Sequence, residues 1–323
     1  VSVASHRVVQ CRSCAGNIGA VFCDLGEMPV ANAYLPQHAD FANEPRYPLR
    51  AVVCQVCRLV QLDTIVDEVN IFSEYAYFSS ASDTWLTHAR KFCEAITKRL
   101  QLTNQSLVVE IASNDGYLLR NFVEAEIPCF GVDPAANVAR VACESGVPTE
   151  VMFFGLDAAK FLVSKSGRHA DLVVANNVLA HVPNLNDFVA GLAHLVGANG
   201  VVSLEVPHLG ALVSGVQFDT IYHEHYAYWS LMAMERLFAR HGLSVLDVEH
   251  LRTHGGSIRV QAKAHPISSV SAELLALRAA EQSVGMDFDS YYQGFDSRVN
   301  SVLSEFRSWL LDNRAKGKRV AAY

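Results

Sequence analysis

Cysteine and histidine are the residue types whose spacing in this chain could do chemistry. Of eight cysteines, four fall into two C-x-x-C pairs, Cys11 with Cys14 and Cys54 with Cys57. Such a pair in a tight turn offers both sulfurs to one ion, and two turns complete a tetrahedral zinc site. The 39 residues between the pairs exceed a compact finger and suit a small zinc lobe with strands between its knuckles. Disulfides are the competing reading, and a reducing cytosol disfavours them. No open coordination position or general base adjoins the pairs, so the zinc is expected to be structural. Cys23, Cys93, Cys129 and Cys143 lie among apolar neighbours and read as ordinary buried thiols.

The stretch 219–228 crowds Tyr222, His223, Glu224, His225, Tyr226 and Tyr228 into seven positions. Burying so many polar rings costs free energy unless they have partners or a task. The pattern is H-E-H rather than H-E-x-x-H, and a helix would not place both imidazoles on one face for a metal. An acid–base site is the better reading.

Residues 107–116 form an apolar strand running into a small-residue turn that opens a helix, with Glu110 near the strand end and Ala112, Asn114, Asp115 and Gly116 in the turn. That context binds the polar end of a nucleoside cofactor. Ala112 and Asn114 stand where the first two glycines of a dinucleotide fingerprint would fall, so a pyrophosphate loses its glycine-only close approach. S-adenosylmethionine carries an amino acid there instead, which favours it over NAD. Asp133 ends the next strand about 20 residues on, placed to accept from both ribose hydroxyls; a helix cap is the plainer role for it. Phe154 is a candidate to flank the adenine. Asn176, Asn177 and His181 follow the fourth strand of the alternation, at a pocket or as polar groups satisfying a turn.

The elements that must position these groups alternate. Apolar residues at helical spacing predict a helix over 84–100. Strands over 107–112, 129–132, 150–153, 171–175 and 201–206 then alternate with helices over 116–125, 136–145, 157–164 and 185–196. This implies a doubly wound parallel α/β sheet, because parallel strands need crossover connections. A helix over 229–241 precedes two strands, 244–250 and 256–264, that suit an antiparallel hairpin at the sheet edge. Two helices are expected within 271–315, and 316–323 reads like the opening of a strand. The boundaries follow as 1–70 for the zinc lobe, 71–268 for the cofactor-binding core and 269–323 for a helical linker.

Half of the 323 residues are hydrophobic and 18% are charged, a globular composition. A net charge of −7 argues against a nucleic-acid partner, which needs clustered Lys and Arg. No apolar run is long enough to span a bilayer and no secretion signal is visible, so a cytoplasmic protein is the default expectation.

Together, the two C-x-x-C pairs, the turn Glu110–Gly116, the run Tyr75-Ala-Tyr-Phe-Ser-Ser80, Tyr222-His-Glu-His225 and His254-Gly-Gly-Ser-Ile-Arg259 resemble the sugar C-methyltransferases of deoxysugar pathways. The resemblance covers nearly the whole chain. It implies a class I methyltransferase (Rossmann-like) core behind a small N-terminal zinc-binding lobe, with 269–323 leading into a C-terminal nucleotide-binding lobe that stops early. It implies S-adenosylmethionine-dependent methylation of a ring carbon of a dTDP- or GDP-linked 4-keto-6-deoxysugar. His225 would be the base and Glu224 would orient it. Tyr222 and one of Tyr75 or Tyr77 would donate to the oxyanion, with His181 assisting. An O- or N-methyltransferase and a non-catalytic cofactor-binding homologue are the alternatives. His254–Arg259 fits a substrate contact or a plain hairpin turn.

Overall fold

The computed structural model describes residues 5–32, 43–66, 77–264 and 267–321. The N-terminal part supplies β1 (Ser5–Arg7), β2 (Ile18–Met28), β3 (Tyr47–Cys54), β4 (Val60–Leu62) and β5 (Thr64–Val66). The alternating core runs α1 (Asp83–Leu100), β6 (Val108–Ile111), α2 (Arg120–Glu124), β7 (Cys129–Asp133), α3 (Ala136–Glu144), β8 (Thr149–Val151) and α4 (Leu156–Ser166). It continues with β9 (Leu172–Asn176), α5 (Leu185–Val196), β10 (Val201–Pro207), α6 (Leu209–Gly215), β11 (Ala227–Tyr228), α7 (Leu231–Arg240), β12 (Leu243–Leu251) and β13 (Ser257–Ala264). Three helices follow: α8 (Ala272–Ser283), α9 (Asp289–Tyr292) and α10 (Phe295–Ala315).

The large sheet has seven strands in the order β12-β13-β10-β9-β6-β7-β8. Strands β6 to β10 are parallel, while β13 runs antiparallel to β10 and β12 antiparallel to β13. Parallel strands are covered on both faces, and β6, β9 and β10 are accordingly almost wholly buried. The strand order reverses between β6 and β9, which opens a crevice at their carboxyl ends. The turns after these two strands hold Ala112, Asn114, Asp115, Gly116 and Asn177, and Asp133 ends the neighbouring β7.

The second sheet has the order β11-β4-β3-β2, so residues 227–228 complete the sheet of the cysteine lobe. Its face packs on α6 and on the C-terminal helices, with Phe295 stacked on Phe22 at 4.4 Å between ring centroids. Such an aromatic pair adds about 0.5–1.5 kcal/mol beyond its buried area.

Several boundaries differ from expectation. The helix expected over 116–125 is regular only in α2, because residues 113–119 wind as turns around Gly116, whose φ is +76°. The helix expected from 229 starts at Leu231, where the Ser230 hydroxyl caps Ala233 N at 3.1 Å. The two expected C-terminal helices are three, broken at Gly285 and Gly294, both at φ +83°. Residues 316–321 form a turn and irregular chain rather than a strand; a basic-then-apolar stretch becomes a strand only when an edge is there to pair with it. Among the described residues no helix is long and apolar enough to cross a membrane.

Candidate active site and metal centre

The sulfurs of Cys11, Cys14, Cys54 and Cys57 all lie within 4.8 Å of one another, with Cys11–Cys57 and Cys14–Cys54 at 3.5 Å. A zinc–sulfur bond of about 2.3 Å gives a tetrahedron with edges of roughly 3.8 Å, so four thiolates fit that ion here. Val56 N and Cys57 N approach Cys54 Sγ at 3.4 Å, which orients and stabilises the thiolate. Four protein ligands leave no position for a reactant. No other cluster of three or more metal-ligating groups occurs among the described residues.

A cavity of about 710 Å³ opens at the crevice between β6 and β9. Of the residues marked for the cofactor, Ala112, Asn114, Asp133, Phe154, Asn176 and Asn177 line it. Glu110 and Asp115 are buried, and neither they nor Gly116 are among the lining residues. Ala112 and Asn114 take φ of +56° and +51°, so these two side-chain-bearing residues adopt the left-handed turn that glycines would hold. The Asp133 carboxylate accepts from Asn114 N at 2.9 Å and Ala135 N at 2.8 Å, which ties the turn to the next strand and leaves lone pairs for a ligand. Burial holds Asp133 above the usual carboxylate range. Burial, and then the charges of Asp133 and Asp115, push Glu110 well above it.

Asn114 is used mainly by the fold: its carbonyl oxygen accepts from Ser79 N at 3.0 Å and Asp115 N at 2.9 Å, and its amide donates to Tyr77 O. Asn176 Oδ1 and both ends of the Asn177 amide are buried without a hydrogen-bond partner among the described residues. Phe154 meets Phe188 edge-on at 5.4 Å, forming an apolar slot beside Gly155. A Cβ on Gly155 would fall 2.0 Å from Asp187 Oδ2, so a side chain there would displace the Asp187 carboxylate. Asp133, Asp157 and Asp187 line the cavity, and among its described lining there is no Lys or Arg. That polarity suits a cofactor carrying a sulfonium and an ammonium and offers a pyrophosphate no Lys or Arg among the described lining.

The histidine–tyrosine cluster divides in two. Tyr222 and His225 face the cavity together with His181. His225 Nδ1 lies 2.8 Å from Thr220 O, and since a carbonyl only accepts, this nitrogen carries the proton. Nε2 is therefore the basic atom, and the Tyr222 hydroxyl donates to it at 2.8 Å. His181 Nδ1 donates likewise to Glu224 O at 2.9 Å, and the two imidazole centroids are 4.7 Å apart. Burial, then neighbouring His181, pulls His225 down to about 3, and burial pulls His181 down to about 4. Both rings are neutral near pH 7.

The other half of the cluster faces the cysteine lobe. His223 Nε2 donates to Tyr47 O at 3.2 Å, and the Glu224 carboxylate accepts from the backbone and side-chain amides of Asn32. The expectation that Glu224 orients His225 is corrected here: the Thr220 carbonyl holds that ring, and Glu224 is turned to the zinc lobe. Tyr77 stands at the cavity mouth, 54% exposed, and Tyr75 lies outside the described residues. His254 lines the cavity at φ +50°, followed by Gly255 and Gly256 at +74° and +125°. These three residues make a turn rather than a bulge, and a Cβ on Gly256 would press Ala211 at 2.7 Å. Arg259 does not reach the cavity; it pairs with Glu205 and Glu249, each at 2.8 Å. Sequence reasoning missed Trp85, Tyr117 and Phe188 as lining. Their apolar helical spacing or turn position reads the same for a core residue as for a cavity wall.

A zinc binding domain model matches residues 11–72, a methyltransferase domain model residues 85–248, and a C-methyltransferase C-terminal domain model residues 252–323. The chain is 35% identical over 318 residues to the C-methyltransferase NovU of Streptomyces niveus, covering 97% of this chain and 75% of that one. Solved structures that resemble it include an S-adenosylmethionine-dependent methyltransferase from Clostridium acetobutylicum (TM-score 0.45, 12% identity, 56% of this chain and 92% of that one). Another is a magnesium protoporphyrin IX methyltransferase from Synechocystis with bound SAH (TM-score 0.44, 14% identity, 61% and 92%). Fold and site define a class I, S-adenosylmethionine-dependent methyltransferase with an N-terminal zinc lobe. The chain belongs to the C-methyltransferase family, and its reaction is methyl transfer to carbon.

Proposed function

We propose that the acceptor is a ring carbon next to the ketone of a nucleotide-linked 4-keto-6-deoxysugar, and that His225 removes its proton. The observation that supports this reading best is the Tyr222–His225 pair: a neutral imidazole with its basic nitrogen aimed at a phenol inside the cavity. A carbon beside a ketone becomes a nucleophile only when its proton leaves and the electron pair moves into an enolate. A positioned base contributes about 10²–10⁴-fold to such a step.

Thr220 O holds the His225 tautomer so that Nε2 takes the carbon-bound proton. As substrate enters, the Tyr222 hydroxyl turns from Nε2 to the ketone oxygen and donates to the charge developing there, with Tyr77 as a second donor. Burial keeps His225 neutral before substrate enters, and His181 flanks it as a second ring at the cavity wall. Glu110, Ala112, Asn114, Asp115 and Gly116 form the turn that would take the cofactor's amino-acid end. Asp133 would take its ribose, the Phe154–Phe188 slot its adenine, and Asn176 and Asn177 the region where donor and acceptor meet. Bound S-adenosylmethionine supplies an electrophilic methyl group whose sulfur leaves as a neutral thioether. Since the described lining offers no Lys or Arg, the substrate diphosphate finds its cations outside this cavity. The segment 269–323, within the match to the C-methyltransferase C-terminal domain model, is where we place them.

The test is incubation with S-adenosylmethionine and a panel of dTDP- and GDP-linked 4-keto-6-deoxysugars, with products analysed by mass spectrometry and NMR. A new carbon–methyl bond beside the ketone is expected. Methylation of a hydroxyl or amine would replace this reading with heteroatom chemistry.

A further inference from the structure

Arg12 lies inside the first zinc knuckle, between Cys11 and Cys14, yet its side chain leaves the metal and runs into the back wall of the active site. Its NH1 donates to Val182 O at 3.0 Å and Pro183 O at 3.1 Å, and its NH2 donates to Tyr226 O. The guanidinium also lies 5.9 Å from the Tyr226 ring centroid. Val182 and Pro183 directly follow His181, and Tyr226 directly follows His225. One planar cation therefore fastens together the two segments that carry the two active-site imidazoles.

Arg12 forms no ion pair among the described residues. Its nearest negative charge is the neighbouring thiolate cluster at Cys11, while its side-chain hydrogen bonds all go to backbone carbonyls of the two active-site segments. Neutral carbonyls give hydrogen bonds strengthened by the donor's charge, and the rigid fork fixes their relative positions. The base of the clamp is held from several sides. Arg12 N donates to Gln61 Oε1 at 3.2 Å, and the Asn186 amide donates to Arg12 O at 2.8 Å and Ser13 O at 3.0 Å. Arg240 donates to Ser13 O at 2.7 Å, and the flanking cysteines would be tied to the zinc once it is bound. The same Tyr226 carbonyl accepts from Leu62 N at 3.0 Å, so the His225 segment is pinned to the lobe twice.

We propose that Arg12 is a positioning residue: anchored by the zinc knuckle, it clamps the His181 segment to the His225 segment and so sets the separation of the two imidazoles. The zinc, though remote from any reactant, thereby governs the geometry of the base. The inference rests on the reading of His225 as base for its effect on turnover, but not for its effect on the two rings.

The experiment compares wild type with Arg12→Lys and Arg12→Met, each as the full chain with zinc. Zinc content, melting, the ring ¹⁵N resonances of His181 and His225, and solvent deuterium uptake into a 4-keto-6-deoxysugar nucleotide are measured. Lysine keeps the charge but cannot fork, so both variants should keep zinc and S-adenosylmethionine affinity while both rings' resonances move. Turnover and deuterium uptake should fall about 10²-fold, the scale expected of a misplacement of about 1 Å. Ring resonances that superimpose on wild type in Arg12→Lys, with turnover within about threefold, would overturn the clamp. Loss of zinc from Arg12→Lys would also overturn it, by assigning Arg12 to the knuckle alone. Absence of deuterium uptake in wild type would count against His225 as base and leave the ring resonances to decide the clamp separately.

Discussion

The Tyr222–His225 pair concentrates the chemistry in two residues. His225→Asn should lower turnover by about 10³-fold, within the range for a positioned base, and leave S-adenosylmethionine affinity within about threefold. Calorimetric titration alongside steady-state rates separates these effects. Tyr222→Phe should lower turnover by about 10²-fold or more, as for removal of one oxyanion donor. Because burial pulls His225 to about 3 and His181 to about 4, from 6.5 for a free imidazole, both stay neutral down to acid pH. The profile of kcat/KM should therefore show no imidazole limb near pH 6.5. The linkage to stability has a definite sign. Between pH 6.5 and about 4 the unfolded chain binds protons at these histidines that the folded chain does not, so stability falls as pH falls through that window. Urea unfolding across that window should show a shallower loss in a His181→Asn variant than in wild type.

At the scale of elements, the short strand β11 has the largest consequence. It pairs Ala227 with Gln61 and Tyr228 with Val60, so the acid–base segment is an edge strand of the zinc lobe as well as a loop of the catalytic core. Removing the metal by chelation, or replacing Cys54 with Ser, should loosen that edge. Turnover should be lost and Tyr222–Tyr228 amides should lose hydrogen-exchange protection, while the amides of β6 and β9 stay protected. This dependence was not legible in the sequence. A two-residue strand has no periodicity to detect, and the H-E-H run shows six polar or aromatic residues without saying which way each faces. The longer elements were legible because their apolar spacing is helical or continuous, as in α1, α5 and β9. Glu224 shows the limit most sharply: its neighbour His225 is one residue away in the chain, but its carboxylate partner, Asn32, is 192 residues away.

At the scale of the molecule, the cysteine pairs were legible as one cluster, and the turn after β6 and Asp133 as neighbours in the fold, because ligand spacing and strand–turn–helix context are local signals; the structure brings the four sulfurs together and sets Ala112, Asn114 and Asp133 on one cavity. The cavity that joins them depends on packing between distant segments, which is why Trp85, Phe188 and the Arg12 contacts escaped notice. The absence of Lys and Arg from the described lining likewise becomes visible only once the cavity is assembled. The central claim is that this assembly removes a proton from carbon before methyl transfer. The most direct test is to incubate wild type and His225→Asn in deuterated water with the accepted 4-keto-6-deoxysugar nucleotide, without S-adenosylmethionine, and follow the ring protons by NMR. Wild type should wash out the proton beside the ketone at the carbon later methylated, and His225→Asn should not. Washout that persists in His225→Asn at the wild-type rate would contradict the account.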